Sequence, residues 1–136
     1  MARRSQPALL VVEDDPAIRE MVAELLRLDG YDVEEAYDGA AAIRALDDHR
    51  PASQHFCGIL LDMMLPQVSG LAVLDHLRSD LDTHIPVVAM SASGLALEVA
   101  RAAGAVAAIA KPFDIAELLA VVEQCCPPAF LADRQP

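Results

Sequence analysis

Tryptophan is absent from this 136-residue sequence, and aromatic residues make up only 4% of it. The core must therefore be built from Ala, Val, Leu and Ile, and a hydrophobic content of 54% is ample for helices packed on a parallel sheet. Positive charge is scarce as well. Ten Lys plus Arg stand against 21 Asp plus Glu, a formal net charge of −11 that repels phosphate backbones and anionic lipid surfaces and argues against nucleic-acid or membrane binding. No apolar run approaches the roughly 20 residues that a membrane span needs. The apolar stretch after Pro7 is broken at once by Glu13, Asp14 and Asp15, which is unlike a signal peptide. The three cysteines, Cys57, Cys125 and Cys126, lack the spacing of a disulfide framework or a zinc finger. They are expected to be small buried hydrophobes in a reducing, cytoplasmic compartment. No repeat or low-complexity tract divides the chain, so one domain is expected over residues 1–126, with the proline-rich 127–136 a frayed end or the start of a linker.

What is present is an alternation of short apolar runs and longer amphipathic segments. Ala8 to Val12 is continuously apolar and ends in acids, as a strand covered on both faces does where it emerges. Asp15-Pro16 opens a helix whose inner face is Ile18, Met21, Val22, Leu25 and Leu26, and Gly30 ends it. Further strands are predicted at Asp32–Ala36, Phe56–Leu61, Ile85–Met90 and Val106–Ala110. Helices carry Ile43 and Leu46, then Leu71, Leu74 and Leu77, then the alanine-rich span from Gly94 to Gly104, with a polar loop predicted from Asp47 to His55. The last helix starts at a capping box, Asp114 with Glu117, and turns Ile115, Leu118, Leu119 and Val122 inward. Five βα units joined by right-handed crossovers imply an α/β fold, a doubly wound, flavodoxin-like five-stranded parallel sheet of order 2-1-3-4-5 with five helices. Any site then lies at the carboxyl ends of the strands.

Those ends present Glu13-Asp14-Asp15, Ala36, Asp62, Ser91 and Lys111. The first and third strands are neighbours in such a sheet, so their acids share one pocket. Two unit charges about 4 Å apart repel by ~4 kcal/mol at an effective dielectric near 20, so the cluster must take up protons or recruit a cation. A magnesium ion suits it, because Mg²⁺ prefers oxygen ligands and is usually held by one or two carboxylates plus a substrate phosphate. In a phosphoryl-transfer layout Asp62 fits as nucleophile, Lys111 as fixed positive charge and Ser91 as hydroxyl donor.

These residues carry a resemblance to the receiver domain of two-component response regulators, running from about Ala8 to Cys126. It rests on Val11-Val12-Glu13-Asp14-Asp15-Pro16, on Leu60-Leu61-Asp62-Met63-Met64-Leu65-Pro66 with Gly70 beyond, on Ser91-Ala92 and on Lys111-Pro112-Phe113. The resemblance implies that Asp62 is the phospho-acceptor and Asp14 a direct magnesium ligand. It makes Glu13 the second acid, acting through water, and the Met64 carbonyl a backbone ligand. Ser91 would follow the phosphoryl group, and Lys111 would pair with it across a cis bond to Pro112. Asp15 falls outside the ligand pair and is expected to cap the first helix. The implied partners are a histidine kinase or histidine phosphotransfer protein and a downstream protein target, for a regulator that is free-standing or part of a longer chain and is a monomer or weak dimer. It would not be an enzyme beyond its own phosphorylation and dephosphorylation.

The sequence departs from the family pattern around the fourth helix. Ala108 occupies the position three before the lysine where an aromatic is usual, Gly104 to Ala110 lacks an acidic pair, and the Ser91–Lys111 interval is about two residues shorter than is common in the family. Ala108 keeps a second reading in play, a pseudo-receiver that binds proteins without switching. A magnesium-dependent aspartyl phosphatase ranks last, since the second acid it needs two residues after the nucleophile is replaced by Met64. Singly, each site residue has a plainer reading: Asp62 a cap, Lys111 a surface lysine, Ser91 a strand end. His49, His55, His76 and His84 read as solvated, and Val106 as core unless it faces out into an apolar patch.

Overall fold

The computed structural model describes residues 7–48, 56–79 and 84–128. The order of elements is β1 (Ala8–Val12), α1 (Pro16–Leu28), β2 (Asp32–Ala36), α2 (Gly39–Asp48), β3 (Phe56–Asp62), α3 (Gly70–Arg78), β4 (Val87–Ser91), α4 (Gly94–Ala102), β5 (Ala107–Ala110) and α5 (Ile115–Cys125). All strand pairs are parallel, in the order β2-β1-β3-β4-β5. This is the predicted doubly wound sheet.

Side chains alternate across the sheet with the two-residue period of a strand, and each face therefore has its own core. Leu10, Val12, Ile59, Leu61, Val87 and Ala89 pack with Ala42, Leu46, Val73, Leu74, Leu77 and Ala100 from α2, α3 and α4. Leu9, Val11, Leu60, Val88, Met90 and Ile109 pack with Val22 and Leu26 of α1 and with Leu118 and Val122 of α5. Each such Val, Leu or Ile contributes about 1.5–3 kcal/mol by leaving water. The central strands are buried on both faces, which is why they read as continuous apolar runs. The outer strand β2 exposes Asp32, Glu34 and Glu35, charges that blunt an open edge.

Local chemistry sets where the helices begin. Asp15 accepts from the N–H groups of Ala17 and Ile18, Ser69 from Ala72, Ser93 from Ala96 and Asp114 from Ala116. Each side chain satisfies an amide that the first helical turn leaves without a carbonyl.

Several boundaries and faces differ from the sequence reading. β4 begins at Val87 rather than Ile85, because Pro86 has no N–H to give the ladder, although its carbonyl still accepts from Ile59. α2 continues through Asp48, two residues into the segment predicted as loop, and the Asp47 carboxylate meets His76 of α3 at 3.0 Å, so His76 is partnered rather than simply solvated. Residues 49–55, with His49 and His55, and residues 129–136 of the predicted tail lie outside the described residues. Met21, expected on the inner face of α1, is 42% exposed, because Ala23 takes the buried position instead. Val106 precedes β5 and is exposed, as are Leu95 and Val99 of α4.

The cysteine expectation is overturned most clearly. Cys57, near the start of β3, is disulfide-paired with Cys126, the residue capping α5, across 69 residues of sequence and with their Cα atoms 5.6 Å apart. Cys125 keeps a free thiol. No spacing rule could have announced the pair, since the topology alone brings the amino end of a strand to the carboxyl end of the last helix.

Candidate functional site

Strand register builds the site. Val12 stands opposite Leu61, Asp62 opposite Met90, and Ser91 opposite Ala110, so the strands end nearly flush. One step further along each chain, Glu13, Asp62, Ser91 and Lys111 stand in a row across four adjacent strands. Backbone bonds extend the ladder past the strand ends: Glu13 N–H donates to the Ala36 carbonyl at 3.1 Å, Met63 N–H to Met90 at 2.9 Å and Lys111 N–H to Ser91 at 2.9 Å. Side chains that the sequence spreads over 99 positions, from 13 to 111, are thereby held at fixed mutual heights.

The acids differ in their surroundings. Glu13 is 1% exposed and Asp62 3%, whereas Asp14 is open to solvent. The two adjacent residues leave the strand on opposite sides, and it is Glu13 that Lys111 and the Asp15 amide enclose. One carboxylate oxygen from each of the three lies within 4.8 Å of the others. The Lys111 ammonium donates to Asp62 Oδ2 at 3.1 Å and forms a short contact with Glu13 Oε1. Asp62 Oδ1 accepts the Met64 N–H at 2.9 Å, and Asp15 N–H donates to Glu13 Oε2 at 3.3 Å. The Asp62 carboxylate is thus gripped at both oxygens.

Burial and the neighbouring Asp62 together push the Glu13 carboxyl up to about 7, against the opposing pull of Lys111 and the Asp15 amide. Burial works to lower the Lys111 pKa, but its contacts with Glu13 and Asp62 outweigh burial and raise it, so the lysine stays cationic. Three carboxylates against one ammonium leave the pocket short of positive charge. All the side-chain donors that remain are hard oxygens, and Asp14 faces water, as a cation that keeps several of its own waters requires. The donor set fits a small divalent ion such as Mg²⁺.

The loop after β3 turns back tightly on the end of that strand. Gly70 N–H donates to the Met63 carbonyl at 3.3 Å, and a Cβ at residue 70 would stand 2.6 Å from the Asp62 carbonyl oxygen and 2.5 Å from Met63 Cα. Only glycine permits that approach. Gln67, with φ +64°, turns the same loop. Met64, whose carbonyl the resemblance made a metal ligand, lies 63% exposed in it, while Met63 is buried.

Ser91 is fully buried, and its Oγ accepts the Ser93 N–H at 3.0 Å. Its hydroxyl hydrogen is left to donate. The bond between Lys111 and Pro112 is cis, as the resemblance implied. Beside them an apolar groove of about 340 Å³ lies between α1 and the turn that follows β5, lined by Ile18, Met21, Ala92, Lys111, Pro112 and Phe113. Sequence reading did not single out this groove. Its signal was the half-exposed Met21 and Ile18 on the side of α1 next to the Lys111-Pro112-Phe113 turn.

Residues 9–123 match the family model of the response regulator receiver domain, and the chain belongs to that family. It is a signalling module of two-component systems rather than an enzyme of the ordinary kind. Among curated proteins it is 38% identical over 123 residues to the DNA-binding dual master transcriptional regulator RpaA of Synechocystis, covering 85% of this chain and 47% of that protein. It is 38% identical over 115 residues to the probable transcriptional regulatory protein TcrX of Mycobacterium tuberculosis, covering 82% and 46%. The chain therefore spans about half the length of these relatives. Among solved structures, chemotaxis response regulator CheY4 of Vibrio cholerae superposes with a TM-score of 0.79 at 26% identity over 89% of this chain and 99% of that one. The receiver domain of sensor histidine kinase PA1611 from Pseudomonas aeruginosa, described with a magnesium ion in its active-site cleft, gives 0.76 at 28% identity over 88% and 97%.

Proposed function

We propose that the protein is a phospho-acceptor switch that takes a phosphoryl group onto Asp62 from a histidine kinase or histidine phosphotransfer protein in a magnesium-dependent reaction. The observation that carries this reading is the Asp62 carboxylate, buried yet shared between Lys111 and the Met64 amide, with oxygens of Glu13 and Asp14 within 4.8 Å. A carboxylate pinned by two donors presents its oxygens in one orientation, which favours in-line attack. An Asp62 oxygen forms the new O–P bond as the donor N–P bond breaks, and the electron pair of that bond returns to the donor imidazole. Lys111 Nζ, already beside Asp62, meets the negative charge of the incoming group, and the Ser91 hydroxyl donates to one of its oxygens. Asp14, Glu13, Asp62 and the Met64 carbonyl would hold the metal, with Glu13 acting through water. When bound, magnesium would offset charge on the phosphoryl oxygens.

The groove beside Lys111 supplies apolar surface on which the phosphodonor protein can rest while its histidine reaches Asp62. The net charge of −11 favours output through protein contacts rather than direct DNA contact by this domain, and the DNA binding in the name of RpaA is a property of that protein. We take the receiver unit as residues 1–126 and leave the proline-rich 127–136 outside it, since α5 stops at Cys125 and Pro127-Pro128 follow its cap. We further take the domain as cytoplasmic, as a monomer or weak dimer, with phosphoryl chemistry confined to its own Asp62. No described helix is long and apolar enough to cross a membrane.

Ala108, half-buried in β5 and paired with Ala89, supports the second reading, a pseudo-receiver, because a methyl group cannot swing into a pocket as a ring can. One experiment separates the readings. With magnesium and acetyl phosphate, intact mass should rise by one phosphate in the wild type and not in Asp62→Asn, and amide spectra of residues 94–102 should change. Labelling that survives Asp62→Asn overturns the acceptor assignment. Labelling without spectral change selects the pseudo-receiver, and turnover of many donor equivalents selects a phosphatase.

A further inference from the structure

We propose that Cys57 and Cys126 form a reversible thiol–disulfide site at the end of the domain opposite the acidic pocket, taking a low-molecular-weight disulfide as oxidant and clamping the carboxyl end of α5 to β3. The pair is organised before any bond forms. Cys126 leaves the helical conformation, with φ −151° and ψ 87°, so its side chain turns off α5 toward the sheet. Both of its backbone polar groups are anchored: the N–H donates to the Val122 carbonyl at 2.8 Å, and the carbonyl accepts the phenol of the buried Tyr31. On the facing strand, Cys57 is followed by Gly58, where even an added Cβ would only reach 3.8 Å from Cys126 Cβ, so the two elements meet without a bulky side chain between them. A Cα–Cα separation of 5.6 Å lies within the range a disulfide spans without backbone movement.

The three thiols are not equivalent. Cys126 is 3% exposed and cannot be approached from solvent, while Cys57 is only half-buried. Cys57 is therefore the sulfur that meets the oxidant. Its thiolate attacks one sulfur of the small disulfide, forming a mixed disulfide and releasing one thiolate leaving group. The Cys126 thiol then loses its proton and attacks the Cys57 sulfur, which expels the second. The sum is two protein thiols and one small disulfide giving one protein disulfide and two small thiols, so electrons and protons balance. Cys125 ends α5 and keeps its thiol, and burial raises its pKa and so disfavours the reactive thiolate. In a reducing compartment the pair would stand open, and a shift of the thiol pool toward the oxidised form would close it.

The test uses the whole 136-residue protein equilibrated with oxidised or reduced glutathione and then alkylated. After oxidation one thiol, Cys125, should be alkylated, intact mass before alkylation should fall by two hydrogens, and the linked peptides should contain residues 57 and 126. Oxidation should raise the melting temperature on the order of 10 °C, because the tether closes a long loop, and should slow amide exchange in the last turn of α5. Cys126→Ser should lose both responses and Cys125→Ser should keep them. Three alkylatable thiols after oxidation, a Cys125–Cys126 bond, or a linked dimer would each overturn the proposal. If Cys126→Ser fails to fold, alkylation mapping of the wild type still decides.

Discussion

At the carboxyl rim of the sheet, the buried Glu13 and Asp62 share one lysine, and an oxygen of the solvent-open Asp14 lies within 4.8 Å of theirs. At the amino rim, where Tyr31, Cys57 and Cys126 meet, the contacts are a phenol on a carbonyl and a covalent sulfur pair. Burial pushes the Tyr31 hydroxyl well above its ordinary pKa, with the charges of Asp29 and Glu123 adding to it, so this group is a neutral donor throughout the physiological range. One rim is built of groups that repel each other and await a partner. The other is built of groups already satisfied. A parallel sheet permits this division because every strand leaves at the same end, so the residues that follow the strands collect on one side.

The sharpest way to break the contrast is Lys111→Met. Removing the ammonium leaves the buried Glu13 and Asp62 without their cation, and the protein should lose about 3–5 kcal/mol of stability in denaturant titration at pH 8. Gly70→Ala comes next. The added methyl collides with backbone at the end of β3, and a loss of roughly 1–3 kcal/mol is expected, together with slower phosphorylation by acetyl phosphate. The third test is pH. Because the Glu13 carboxyl is raised from 4.5 to about 7 in the folded protein, the native state binds the extra proton between those values. Stability in EDTA should therefore be fullest below pH 4.5 as far as this group is concerned. It should fall as pH rises through 7, by at most about 1.4 kcal/mol per pH unit, and Glu13→Gln should flatten that slope. Tyr31→Phe, at the opposite rim, should cost only ~1 kcal/mol, show no such pH dependence and leave phosphorylation at Asp62 unchanged.

The order of the strands and the residues at their ends were legible because a strand covered on both faces must be apolar until it emerges, and the first polar residue then marks the rim. Glu13, Asp62, Ser91 and Lys111 each announce themselves in that way. The unequal burial of Glu13 and Asp14 was not legible, since both faces of β1 are covered and only the packing past its end decides which of two adjacent acids stays open. Pairings between distant elements were also hidden. Cys57 with Cys126 and Asp47 with His76 arise from the packing of elements whose separation along the chain carries no signal. The apolar groove at Met21 was missed for a related reason, as helical periodicity counts every apolar residue on one arc as core.

The hydroxyl of Ser91 has consequences beyond the acidic pocket. Its oxygen holds the amide of Ser93, and Ser93 in turn steadies the opening turn of α4 through Ala96. A ligand that draws this hydroxyl toward the carboxylates leaves that amide without an acceptor and loosens the first link of a short relay. The turn so held opens the helix that exposes Leu95 and Val99, and Ala108 on the neighbouring strand brings only a methyl beside Ala89.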